Sequence, residues 1–124
     1  MSDRTTVQNA ELALLLEVTG TPKPGNVDRE RDFEDLRFEH FMAGAVGARR
    51  GLALAADGER IGHAFERAVA GMVDQSAGNT QFGALLLLVP LVAAASEDAL
   101  TPSGVDSVVR ATTVADAADF YRAF

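Results

Sequence analysis

Apolar residues recur along most of this chain at helical spacing, and the breaks between the periodic runs are sharp. From Thr6 to Val18, the residues Val7, Ala10, Ala13, Leu14 and Val18 repeat on one side, with Leu12, Leu15 and Leu16 widening the face. Gly20 and the two prolines Pro22 and Pro24 end that run, because each proline pushes its predecessor out of the α region. Thr21 to Arg31 is therefore a structured loop. Asp32, followed by Phe33, Glu34 and Asp35, supplies an N-cap and an acidic first turn for a second helix. Its inward residues are Phe33, Leu36, Phe41, Ala45 and Val46, and Arg49-Arg50-Gly51 marks an end unless Leu52–Ala56 continues it.

After Asp57-Gly58, the residues Ile61, Ala64, Phe65, Ala68, Val69, Met72 and Val73 follow the i, i+3, i+4, i+7 rule of a third helix. A polar stretch, Asp74–Gly83, separates it from Phe82–Ala95, which carries no charge over fourteen residues. A bilayer span needs ~20 apolar residues, so this segment predicts a central helix buried on nearly all sides and kinked at Pro90. Asn79 or Thr80 can cap it. Thr101-Pro102-Ser103 opens a fifth helix with Val105, Val108 and Val109 inward. Thr113-Val114-Ala115-Asp116 is a variant capping box for a sixth, whose apolar residues are Ala117, Phe120, Tyr121 and Phe124. The last residues are periodic without a stop signal, so the chain reads as cut inside or just after an element. The fold class is all-α: one compact multi-helix bundle over residues 1–124 with a buried central apolar helix.

Composition narrows the function. With 124 residues, 48% hydrophobic and 23% charged, the chain has the length and balance of a single globular domain. The net charge is −7 and the basic residues are dispersed, which argues against nucleic acid as a partner. Ten arginines stand against one lysine, an acidic balance suited to high salt and hence to a haloarchaeal habitat. The absence of cysteine excludes disulfides, thiol nucleophiles and Cys-based metal sites. The N-terminal residues lack the pattern of a signal peptide, so the expectation is a cytoplasmic protein without membrane attachment.

The one lysine, Lys23, lies between Pro22 and Pro24 in the first loop, and Asn79 and Thr80 lie in the second, directly before a helix. A helix N-terminus offers free amides and a positive dipole end to an anion or a ribose hydroxyl, and Lys23 supplies a point charge for phosphate. Glu17 and Asp28 flank Lys23. Magnesium usually takes one or two carboxylates plus substrate phosphates, so the pair can form half of a magnesium-nucleotide site. Spacing alone fits better a stiff turn with a solvated lysine, and Asn79 and Thr80 as plain caps. Neither loop is a Walker motif. His40 and His63 share no metal-ligand spacing, each reading as a helix-side polar contact, and no Ser-His-Asp arrangement is present.

The segment Glu17-Val18-Thr19-Gly20-Thr21-Pro22-Lys23-Pro24-Gly25-Asn26-Val27-Asp28, followed by Asp32-Phe33 and Phe38-x-x-Phe41, resembles the opening of the triphosphoribosyl-dephospho-coenzyme A synthase family. Gly78-Asn79-Thr80-Gln81-Phe82-Gly83 is similar to its second signature, a Gly-x-Asn-Thr-His-Lys-Gly loop before an apolar helix. The resemblance implies an all-helical enzyme in which the 2′-hydroxyl of 3′-dephospho-coenzyme A attacks the anomeric carbon of ATP and adenine leaves. It implies that Lys23 contacts phosphate and that Glu17 and Asp28 hold Mg2+ or the attacking hydroxyl. Asn26, Asn79 and Thr80 then bind nucleotide ribose or phosphate. Gln81 and Phe82 depart from the signature, standing where it has histidine and lysine. Family members are also longer, with further acidic residues in a second half. The alternatives are a non-catalytic nucleotide-binding or assembly module, and a fragment completed by another copy of itself as a homo-oligomer.

Overall fold

The structure, a computed structural model, describes residues 4–20, 24–30, 32–75 and 78–124. Among these residues it is all-α, with six helices: α1 (Thr6–Thr19), α2 (Phe38–Ala56), α3 (Ile61–Val73), α4 (Phe82–Ser96), α5 (Pro102–Arg110) and α6 (Val114–Ala123). The α1 boundaries follow from local chemistry. Thr5 Oγ1 accepts from the Gln8 amide at 3.1 Å while Gln8 Oε1 accepts from the Thr5 amide at 2.9 Å, a reciprocal cap. Ala10, Leu14 and Val18 form its buried stripe, one residue per turn.

α2 departs from the sequence reading at both ends. It begins at Phe38 rather than beside Asp32, because residues 33–36 close a turn of their own, with the Phe33 amide donating to the Leu36 carbonyl at 2.9 Å. Asp32 still serves the helix from a distance, its Oδ1 accepting from the Phe38 amide at 2.7 Å. The buried face is Gly44, Ala45, Ala48, Gly51, Leu52 and Ala55, while Val46 on the helix and Phe33 ahead of it are exposed instead of inward. Arg49-Arg50-Gly51 does not end the helix, which runs on to Ala56. Gly51 is there for contact, since any Cβ on it would strike the Ala68 backbone of α3.

The same logic extends along the α2–α3 seam. Gly47 and Gly71 face each other so closely that a Cβ on either would collide with the other's carbonyl. Side chains of this size let two backbones approach below the usual ~8–10 Å interaxial distance. Leu52, Met72 and Leu85 are the largest fully buried side chains near this contact, with Val18 and Val89 filling the core from α1 and α4.

α4 is central, packing on α1, α2, α3 and α5. Its burial is one-sided rather than all round: Leu85, Val89, Val92 and Ala94 are inside, whereas Leu86, Leu87 and Leu91 remain exposed. The helix continues through Pro90. α5 starts as the sequence indicates, with Thr101 Oγ1 accepting from the Gly104 amide at 3.0 Å and Pro102 at the first position. It packs on α4 alone, so Val109 faces outward at 50% exposure and not into the core.

α6 keeps Phe120 of its expected apolar face packed against the core but turns two acidic residues inward beside it. Asp116 and Asp119 are buried, while Tyr121 and Phe124 are 74% and 88% exposed and Ala117 is also outside. The reason lies on α3. Asp116 Oδ1 accepts from the Gly62 amide at 2.8 Å, a free donor in the first turn of α3, and Oδ2 accepts from the Thr113 amide at 2.8 Å. One carboxylate therefore caps two helices. Arg60 Nη1 lies 3.1 Å from Asp116 and 2.9 Å from Asp119, and Arg122 also pairs with Asp119, so both buried charges are compensated. Phe65, Phe82 and Phe120 close the apolar side of this contact, with ring centroids 5.1 and 5.6 Å from Phe65.

Gly51→Ala is expected to cost about 1–3 kcal/mol through overpacking at the seam, whereas Gly83→Ala, open to space on α4, is neutral or stabilising by up to ~1 kcal/mol. Urea denaturation of the two variants measures the contrast. Burial pushes the Asp116 carboxyl up, but the Gly62 and Thr113 amides, the Thr113 hydroxyl and Arg60 outweigh it and hold the group below the ordinary carboxylate value. Because the folded value is the lower one, the stabilisation is complete above the unfolded value of about 4 and is lost as pH falls through the folded value. Thermal melts between pH 7 and 2 should show that loss, and Asp116→Asn should flatten it.

Candidate functional site

The first polar loop is anchored by a hydrophobic residue. Val27 is 1% exposed and inserted into the interior, so its neighbour Asp28 is drawn in with it, also at 1%. Asp28 Oδ1 accepts from the Glu30 amide at 2.8 Å, a local turn that fixes the carboxylate. Arg29 Nε donates to the Thr19 carbonyl at 3.1 Å, returning the loop to the end of α1, where carbonyls lack helical partners. Gly25 has φ of +82°, which the Pro24-Gly25 pair accommodates as the second half of a tight turn. Glu17 and Asn26 are exposed, Glu17 in the last turn of α1 and Asn26 on the loop beside Val27. Lys23 lies outside the described residues. The two carboxylates singled out by sequence thus occupy contrasting environments, Glu17 at the surface and Asp28 buried.

The second loop is held more firmly. Asn79 Oδ1 accepts from the Phe82 amide at 2.9 Å and caps α4, one of the two caps offered by the sequence. Gln81 is 5% exposed. Its Nε2 donates to the Phe41 carbonyl of α2 at 2.7 Å, its Oε1 accepts from the Thr80 hydroxyl, and its backbone amide points at Met72 Sδ of α3 at 3.0 Å. Gln81 clasps the loop to α2 and α3, and Gln75 adds a second tie, its Nε2 donating to the Met72 carbonyl at 2.9 Å and the Gly78 carbonyl at 2.6 Å. Gly44 makes the seat, since a Cβ there would run into both Thr80 Oγ1 and Gln81 Oε1. Phe82, next in sequence, packs its ring edgewise on Phe65 at 5.1 Å and near Phe124 at 5.8 Å.

These bonds bring Asn79 and Thr80 together with Gly44 and Gln81, and they hold Asp28 within the first loop. Between α1, α2 and α3 lies an open groove of about 640 Å³, lined by Leu15, Met42, Gly47 and Gly71, with Glu39, Asp74 and Gln75 also on its walls. Asp74 and Gln75 begin the second loop, so the groove reaches its start, while Glu17, Asn26, Asp28, Asn79 and Thr80 are not among its lining residues. Its volume is in the range of small-molecule sites, ~300–1,000 Å³. A smaller, more apolar cavity of about 330 Å³ lies among α3, α4, α5 and α6, lined by Phe65, Leu86, Val109 and Phe120, and takes no residue from either loop.

Other candidates resolve into structure. His40 Nδ1 accepts from the Arg37 amide at 3.0 Å and caps α2, a helix-side contact as its position suggests. Among the described residues no group of three or more His, Cys, Asp or Glu is arranged to hold a metal ion. A protein-made cage is thus not what the described residues form. Among the same residues no helix is long and apolar enough to cross a membrane. Sequence reasoning missed Gln81 as a clasp and Gly44 as its seat. The one available signal was the spacing Gly44, Gly47, Gly51 along a single side of α2.

An all-helical chain with two polar loops, each tied down beside a helix end, defines the class. The family model for ATP:dephospho-CoA triphosphoribosyl transferase matches residues 3–124, and the chain belongs to that family. No curated protein and no solved structure matches it.

Asn79→Ala is expected to remove the α4 cap and lower stability by ~1 kcal/mol, with faster hydrogen exchange at the Phe82 amide as the local signature.

Proposed function

We propose that this chain transfers the triphosphoribosyl group of ATP to 3′-dephospho-coenzyme A. Membership of the ATP:dephospho-CoA triphosphoribosyl transferase family carries the reading, and the burial of the Asp28 carboxylate beside Val27 in the first loop supports a site there. In the transfer, the C1′–N9 bond of ATP breaks and adenine departs with the electron pair and takes up a proton. A new C1′–O bond forms to the 2′-hydroxyl of dephospho-coenzyme A, whose proton leaves to a base. The protein's part in such a step is positioning and charge stabilisation.

The roles follow from residue chemistry. Lys23 meets the triphosphate. Glu17 and Asp28 orient the attacking hydroxyl, or hold the Mg2+ that accompanies ATP; that ion supplies charge neutralisation of the phosphates when bound. Asn26, Asn79 and Thr80 position the nucleotide. The groove carries Glu39 and Asp74 on its walls, so a triphosphate entering it needs cations to offset them.

A second reading, a helical nucleotide-binding module without turnover, has one specific observation in its favour. Phe82 is committed to an aromatic cluster at the position where the signature sequence carries a lysine, so this loop offers no side-chain cation of its own there. Chromatography separates the two readings. Incubation with Mg-ATP and dephospho-coenzyme A should release free adenine, and Lys23→Ala or Asp28→Asn should lower the rate by at least ~100-fold, the scale of losing one positioned charge. Binding of Mg-ATP without adenine release supports the module, and no binding at all defeats both readings.

A further inference from the structure

The hydrogen-bond directions around Gln81 determine what Thr80 can offer a ligand. The Phe41 carbonyl can only accept, so the Gln81 side-chain nitrogen must face it, at 2.7 Å. The amide oxygen of Gln81 therefore faces Thr80, and because that oxygen can only accept, the Thr80 hydroxyl must donate. Gln81 is 5% exposed and Gly44 closes the space behind it, so water does not readily replace this partner. The proton of Thr80 is turned inward. What remains to Thr80 Oγ1, on a half-buried residue, is acceptor capacity alone.

Asn79 is complementary. Its Oδ1 is engaged by the Phe82 amide, which leaves the Nδ2 group as a donor on an exposed residue. A phosphate oxygen, an acceptor only, pairs with Asn79 but is repelled by Thr80. A hydroxyl both donates and accepts, and satisfies the two together. We propose that Gln81 is a positioning residue that turns Thr80 into an obligate acceptor, so that the second loop reads a ribose hydroxyl and not a phosphate. This rests on the transferase reading above, and it narrows that reading to one class of group at this loop. Both substrates carry a ribose, so the same chemistry has two sources.

Calorimetric titration distinguishes them. Wild-type protein is titrated with Mg-ATP against its 2′-deoxy and 3′-deoxy analogues, and with dephospho-coenzyme A against coenzyme A, whose 3′-hydroxyl is phosphorylated. The expected result is about tenfold weaker binding of one analogue, the scale of one lost hydrogen bond. Thr80→Val should abolish that difference to within about twofold while Thr80→Ser keeps it, and Gln81→Ala should shrink it by freeing the hydroxyl to rotate. The pair in which the difference disappears identifies the source. Helical circular dichroism and melting of each variant control for folding, and if Gln81→Ala fails to fold the Thr80 variants and the analogues still decide. Equal binding of all analogues by a wild type that binds Mg-ATP overturns the inference and leaves the transferase reading standing, as does discrimination that survives in Thr80→Val. Failure of both natural ligands to bind removes both proposals.

Discussion

The close approach of α2 to α3 is the constraint on which the other features depend. Gly47, Gly51 and Gly71 remove the side chains that would hold the two backbones apart, and the residues beside them, Ala48, Leu52, Ala68 and Met72, are fully or nearly fully buried as a result. The seam does more than fill a core. Gly44 continues it by one turn toward the N-terminus of α2, and there the facing partner is no longer α3 but the loop that follows it. The second signature loop is therefore seated by the same stripe of small residues that joins the helices, and its position is inherited from the packing beneath it.

Buried polar groups then complete what apolar packing begins. Gln81 joins the loop to the Phe41 carbonyl on α2, and its backbone amide meets the thioether of Met72 on α3. Asp116 joins α6 to the first turn of α3. In both places a side chain supplies a partner that a helix end or loop lacks, in an interior where an unmade hydrogen bond costs about 1–3 kcal/mol. Asp119 Oδ2 is buried without a hydrogen bond, but Arg60 stands 2.9 Å away as its counter-ion. Arrangements of this kind specify where a helix sits more sharply than a hydrophobic stripe does, because they have direction.

The legible part of the fold was the part governed by local rules. The capping box at Thr113, Pro102 at the start of α5, the stripe of α3 and the unbroken apolar run of α4 depend on neighbours in sequence, and the helices lie where those signals put them. The errors came where a distant group decided. Asp32 looked like a first-turn cap but reaches a helix six residues away. Gly51 looked like a terminator but is a contact surface. On α6, hydrophobicity pointed Tyr121 and Phe124 inward, whereas Arg60 and the Gly62 amide draw Asp116 and Asp119 to that side instead.

The candidate site divides in the same way. By itself the sequence determined which residue types stand together: Asp28 two residues beyond Asn26, Asn79 and Thr80 ahead of an apolar helix, and the two motifs that mark the transferase family. Only tertiary structure decided that Asp28 is buried while Glu17 is not, that the Thr80 hydroxyl donates its hydrogen bond to Gln81, and that a groove opens between α1, α2 and α3. The physical reason is that caps, turns and periodicity act over a few residues and leave a direct imprint on sequence. Burial and hydrogen-bond direction depend instead on what another helix brings to the same place.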